Sequence, residues 1–196
     1  MTGLSKLSVL AGLVLVTVGS FALSGAHSQS VPVTDGFLIA ADETGAIHLP
    51  EVDYRKQWVA LGTWAVAADG EEPGSQGFHM VYTQPESVAA FQRDGVFPDG
   101  AVIIKELFET ATDDMTTGTV SRAAGTIGWF VMVKDATGRF PDNPIWGDGW
   151  GWAFFDAGDP GTTTTTDYQT DCLGCHIPAQ DSDWIYVEGY PVLQQD

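Results

Sequence analysis

The 196-residue chain has two cysteines, and both fall in one run, Cys172-Leu173-Gly174-Cys175-His176. In an exported protein a CxxCH run reads as the attachment point of a c-type haem. The spacing suits the chemistry. Two thiols add to the two haem vinyl groups, and the adjacent histidine supplies an axial nitrogen to iron. On a helical turn, positions i, i+3 and i+4 share a face. Cys172, Cys175 and His176 are therefore expected to address one flat porphyrin, with His176 as the metal ligand. Thr170 and Asp171 are N-cap residue types just before the turn, and Pro178 opposes a long continuation. The competing readings are a redox CxxC and a fragment of a zinc site. Zinc needs a fourth ligand and usually a second Cys/His pair, and none lies nearby in the sequence.

The N-terminus supports export. Residues 1–26 read as a signal peptide: Lys6, an apolar run from Leu7 to Leu23, and a Ser24-Gly25-Ala26 cleavage site. The run is long enough that an uncleaved membrane anchor is the alternative. No cysteine adjoins the cleavage site, which excludes a lipid-anchored form. Haem c is attached outside the cytoplasm, so signal and motif point to one compartment, the periplasm.

The charge is lopsided, with 26 acidic against 8 basic residues and a net charge of -18. Nucleic-acid phosphates need Lys and Arg, so that partner class is excluded, as is an anionic membrane surface. Arg139 is the last basic residue, and Asp159, Asp167, Asp171, Asp181, Asp183, Glu188 and Asp196 surround the motif in sequence. A redox partner protein docking near the haem is expected to be basic there. The plainer reading is that acidity maintains solubility.

Between the termini the pattern is of short strands and a few helices. Residues 27–49 read as an irregular arm and 50–196 as one domain. A short helix is predicted over Tyr54–Trp58 and another over Pro85–Asp94, with Pro at its first position and Gly95 just past its end. Strands are predicted at Thr63–Ala67, Phe78–Thr83, Gly100–Glu109, Gly128–Lys134, Gly149–Phe155 and Trp184–Val187. Asp69–Gly77, the threonine-rich Ala111–Ala124 and Asp135–Asp148 read as loops, and Asp159–Asp167 as a polar linker. The fold class is α+β, mainly antiparallel sheet with a few short helices and a CxxCH turn near the C-terminus.

Two strands are unusual. In Gly100–Glu109, Ala101, Ile103, Lys105 and Leu107 share a face, so Lys105 sits on an apolar stripe. Such a lysine either snorkels from an edge or is buried with a lowered pKa. In Gly149–Phe155, Trp150, Trp152 and Phe154 line one face and Gly149, Gly151 and Ala153 the other. The small face admits a flat cofactor or another packed layer.

An ordered series of segments resembles the cytochrome P-460 family, which includes the cytochromes c′-beta. It comprises YRKQWVALGT (54–63), VYTQPES (81–87), FPDGAVIIKEL (97–107), VMVKD (131–135), CLGCH (172–176) and DWIYVEGYPVL (183–193). The resemblance implies an exported, mostly β-sheet, often dimeric protein with one haem c and an open or weakly occupied distal iron site. Some members oxidise hydroxylamine, and others bind nitric oxide. In the oxidising members a lysine is bonded to a meso carbon of the porphyrin, and Lys105 matches that lysine. A distal carboxylate that moves protons matches Phe130 here, which instead resembles the c′-beta type, where phenylalanine caps the distal face. A basic distal residue falls near His79, which reads either as a proton-transfer group or as a core histidine with a satisfied hydrogen bond.

Three functions follow as expectations. One is hydroxylamine oxidation, favoured by Lys105 and opposed by Phe130. Another is nitric oxide binding in an apolar distal pocket. The third is electron transfer, with a sixth ligand drawn from Met80, Met115, Met132, His48 or His79.

Overall fold

The computed structural model describes residues 39–70 and 74–194. The signal-peptide reading of residues 1–26 and the first part of the arm lie outside the described residues. Among those described, no helix is long and apolar enough to cross a membrane.

The fold is α+β and rests on one seven-stranded antiparallel sheet. Its strands are β1 (Val59–Ala67), β2 (Ser75–Thr83), β3 (Val102–Met115), β4 (Gly118–Lys134), β5 (Trp146–Gly147), β6 (Trp150–Asp156) and β7 (Asp159–Thr163). β1 to β4 form a meander, β6 pairs with β4, and β5 and β7 both pair with β6. Helix α1 spans Tyr54–Gln57. Helix α2, Pro85–Asp94, connects β2 to β3 and has the predicted ends. Pro85 opens it, and Gly95 closes it at φ 74°, donating its N–H to the Phe91 carbonyl at 2.8 Å.

The central strands are apolar on both faces because both faces are covered. On one, Val81, Ile103, Met132, Trp150 and Trp152 pack against Phe91 of α2 and against Trp184, Ile185 and Tyr190 of the C-terminal segment. On the other, Val102, Ile104, Val131, Val133 and Phe155 pack under Ala40, Ala41, Ile47 and Trp146. Burying each large side chain contributes about 1.5–3 kcal/mol.

The small face of β6 belongs to the second layer. A Cβ on Gly151 would lie 2.7 Å from the Trp146 ring and 2.8 Å from Ile47 Cδ1. A packed side-chain layer fills that face, and the aromatic face points the other way.

Several segments differ from expectation. Ala111–Ala124 is not a loop: β3 and β4 continue as a ribbon from Thr110–Ala123 to Met115–Gly118. Its threonines and serine pair across the strands, Thr112 Oγ1 with Ser121 Oγ at 2.7 Å. The ribbon is wet on both faces, so no hydrophobic alternation announces it. Ser75–Gly77 joins β2, and Val59–Gly62 joins β1. Part of the expected linker is β7. Trp184–Val187 is not a strand, because Asp183 and Trp184 turn the chain with φ of 58° and 68°.

On the second face Glu106 is fully buried. Arg55 pairs with it through Nη2 and through Nε at 3.0 Å. The Tyr54 hydroxyl donates to it at 3.1 Å and Thr126 Oγ1 at 3.2 Å. Trp129 Nε1 donates to the Tyr54 oxygen at 2.9 Å. Burial first, and then Glu106, push the Tyr54 phenol up to about 12. This network ties α1 to β3 and β4, one residue from Lys105 in sequence and on the opposite side of the sheet.

Candidate functional site

The CxxCH segment is a composite helical turn. Gln169–Leu173 is π-helical, Gly174–His176 is a single α-turn, and Ile177–Ser182 is 3₁₀. Thr170 and Asp171, expected as caps, lie inside it. Asp167 does the capping, its Oδ1 accepting the Gln169 N–H at 2.8 Å. Asp171 Oδ2 reaches back to the Thr166 and Asp167 amides at 2.9 and 3.2 Å. These hydrogen bonds, Thr166 first, hold the Asp171 carboxyl below its ordinary pKa.

Between this segment and the first sheet face lies a cavity of about 330 Å³. That is within the ~300–1,000 Å³ usual for cofactor sites. Cys172, Cys175 and His176 all line it. Cys172 is buried and Cys175 exposed. Burial pushes the Cys172 thiol up to about 11, and the Thr165 hydroxyl acts in the opposite direction. Thr165 Oγ1 also accepts the Phe154 N–H at 2.9 Å, which ties the segment to β6.

The wall of the cavity is laid out in rows, because neighbouring strands pair in register. Ile103, Met132 and Trp152 form one row. Val81, Lys105, Phe130 and Phe154 form the next. His79 and its partner Trp64 belong to a third. Successive rows are about 7 Å apart, two residues along a strand. His176 stands over the first row, its ring 4.9 Å from that of Trp152 at 75°. Lys105 and Phe130 are one row further along, and His79 is two.

His176 is fixed in one tautomer. Its Nδ1 lies 2.7 Å from the Trp184 carbonyl oxygen. A carbonyl only accepts, so Nδ1 carries the proton and Nε2 keeps its lone pair for a metal. Burial lowers the His176 pKa, which favours the neutral ring, while the bond to Trp184 opposes this. The Trp184 carbonyl is aimed by the left-handed Asp183–Trp184 pair, a conformation that costs roughly 1–2 kcal/mol per residue.

Lys105 Nζ lies 4.5 Å from the Phe130 ring centroid, within cation–π range. It makes no hydrogen bond or ion pair with a described residue. Burial lowers its pKa, against the pull of the Cys175 and Cys172 thiols. The lysine is partly buried on the cavity wall, on a strand in the interior of the sheet and not at its edge. His79 is half-buried, and its ring has no hydrogen-bond partner among the described residues. Burial and then Lys105 lower its pKa. The satisfied core histidine is therefore not what is found.

The sixth-ligand candidates separate. Met80 pairs with Glu106 on the far face, where the Tyr82 hydroxyl lies 3.6 Å from its sulfur. Met115 is 59% exposed at the end of the ribbon. His48 Nδ1 lies 3.1 Å from the neighbouring Leu49 carbonyl in the arm. Only Met132 and His79 line the cavity.

Sequence reasoning missed Thr165, Lys134, Asp183 and Trp184. Thr165 is indistinguishable within a run of five threonines. Trp184 acts through its backbone, which no residue type signals. Lys134 and Asp183 sit in segments noted for resemblance but far apart in sequence.

Two thiols and one imidazole Nε2 on the rim of a largely apolar cavity fit a haem held through its vinyl groups and one axial nitrogen. Fold and site together define a sheet-based haem cytochrome. The cytochrome P460 family profile matches residues 52–187, and the chain belongs to that family. A comparison with curated protein sequences finds no match.

Proposed function

We propose that this cytochrome acts in the periplasm on small nitrogen oxides, and that it binds nitric oxide opposite His176. Cys172 and Cys175 would hold haem c by thioether bonds and His176 Nε2 would take one axial position. When bound, the haem supplies a redox-active iron with a position for an outside ligand. The chain's own residues set what reaches that position. His176 is oriented by Trp184, while Phe130, backed by Phe154, and Val81 present hydrocarbon to the cavity. Phe130 and Val81 give no hydrogen bond to dioxygen, and where they cap the iron they favour nitric oxide and carbon monoxide.

The observation that carries this reading is Phe130 in the middle row. Asp171 is the single carboxylate among the described lining residues, and its Oδ2 is engaged by two backbone amides. The sheet wall thus offers no carboxylate to accept a proton.

A second reading, hydroxylamine oxidation, is favoured by Lys105. Bonding to a porphyrin carbon requires a neutral amine, and burial favours that form. His79, with no hydrogen bond to a described residue, is the proton acceptor this reading would use. Electron transfer with Met132 as sixth ligand is disfavoured by position. Met132 pairs with Trp152, the residue against which His176 packs, so it belongs to the His176 side. A basic redox partner and a homodimer complete the proposal.

The test is the ferrous spectrum of the haem-loaded protein together with the masses of its haem peptides. A five-coordinate spectrum that changes on adding nitric oxide is expected. A Lys105 peptide joined to the Cys172–Cys175 peptide would move the reading to hydroxylamine oxidation. A six-coordinate, low-spin spectrum without added ligand would overturn both.

A further inference from the structure

Asp183 and Lys134 join two segments that the site chemistry leaves unexplained, the end of β4 and the start of the C-terminal stretch. Each polar group of Asp183 has a job. Oδ1 pairs with Lys134 Nζ, with both side chains about nine-tenths buried. Oδ2 accepts the Phe97 N–H at 2.9 Å. Its carbonyl accepts from Trp150 Nε1 at 3.1 Å. Lys134 Nζ in turn lies 4.8 Å from the Trp150 ring centroid. The next residue is Trp184, whose N–H donates to Ala179 at 2.9 Å and whose carbonyl meets His176. Both residues hold left-handed φ values without being glycine. A bulky residue stays in that region only when its surroundings hold it there.

We propose that Asp183, clamped by Lys134, is a positioning residue for the axial histidine: it locks the Trp184 carbonyl onto His176 Nδ1. A firm Nδ1–H···O bond makes Nε2 a stronger donor, and a stronger donor favours ferric over ferrous iron. The clamp thereby sets how tightly iron holds His176 and how readily it is reduced. The inference rests on His176 being the axial ligand, and it is independent of the choice between nitric oxide and hydroxylamine.

The experiment uses the haem-loaded protein. Asp183→Asn and Lys134→Met are compared with wild type and with Lys56→Met, which breaks only an exposed ion pair with Asp53. The readouts are the ferrous iron–histidine stretching band and the midpoint potential. Asp183→Asn and Lys134→Met are expected to lower the band frequency and raise the potential. Loss of such a supporting bond changes metal-site properties by about tenfold or more. Tenfold in the ferric–ferrous equilibrium is ~59 mV for one electron. Lys56→Met is expected to change neither readout. If Asp183→Asn does not fold, Lys134→Met carries the test alone. An unchanged band and potential in a folded clamp variant would overturn the proposal. Absence of the band in five-coordinate ferrous wild type would instead remove His176 as ligand, and the inference with it.

Discussion

Lys105 and Phe130 are directly paired across β3 and β4, with the lysine Nζ 4.5 Å from the phenyl centroid. The lysine is the residue that favours the hydroxylamine-oxidation reading, and the phenylalanine the one that favours the nitric oxide-binding reading. Their contact means that each sets the environment of the other. The ring covers one side of the amine, and the amine places a polar group beside the ring in an otherwise apolar row.

Phe130→Glu tests what the phenyl ring withholds. A carboxylate there would sit beside Lys105 and add a carboxylate proton acceptor to the sheet wall. Positioned acid–base groups contribute about 10²–10⁴-fold. Hydroxylamine oxidation, followed with an electron acceptor, should rise by at least ~100-fold over wild type. No gain in a variant that keeps its haem would mean that the carboxylate is not the limiting part.

Lys105 should cost stability wherever its amine is free. Burial lowers its pKa below 10.5. Between that lowered value and 10.5 the unfolded chain binds more protons than the folded one, so stability rises with pH across the window. The cost is full below the folded pKa and gone above the unfolded one. Lys105→Met should therefore raise Tm by a few degrees at about pH 7. The advantage should shrink to nothing near about pH 11. The comparison is made with wild-type protein whose Lys105 peptide mass is unmodified, and equal gains at both pH values would contradict it.

Arg55→Ala should be destabilising. It leaves the fully buried Glu106 carboxylate without its cation. Arg55 is itself half exposed, so water screens part of the loss, and leaving the buried carboxylate short of a partner costs about 1–3 kcal/mol. Urea unfolding would measure it, and a loss below ~1 kcal/mol would show that Tyr54 and Thr126 alone satisfy the carboxylate.

Much of this was legible in the sequence. Period-2 alternation put Lys105 and Glu106 on opposite faces of their strand, and the family resemblance pointed to Lys105 and Phe130 as the haem-facing pair. Cys172 to His176 announced the cofactor through residue types that thioether formation and iron ligation require. Legibility failed where structure does not depend on residue type. The ribbon from Thr110 to Ala123 is polar on both faces and has no core to report. The Trp184 carbonyl is a backbone group, and Lys134 meets Asp183 across 49 residues of sequence. The wrap-up of the C-terminal stretch on β1 was equally hidden. A Cβ on Gly62 would lie 2.3 Å from the Gly189 carbonyl oxygen, a close approach visible only in three dimensions.

The central claim is a ligand-accepting iron position in an apolar pocket opposite His176. The most direct measurement is an anaerobic titration of the ferrous, haem-loaded protein with nitric oxide, followed by exposure of a separate ligand-free sample to dioxygen. A five-coordinate starting spectrum, conversion to a nitrosyl spectrum and no stable dioxygen adduct are predicted. A starting spectrum that is already six-coordinate and low-spin, or an iron that ignores nitric oxide, would contradict it.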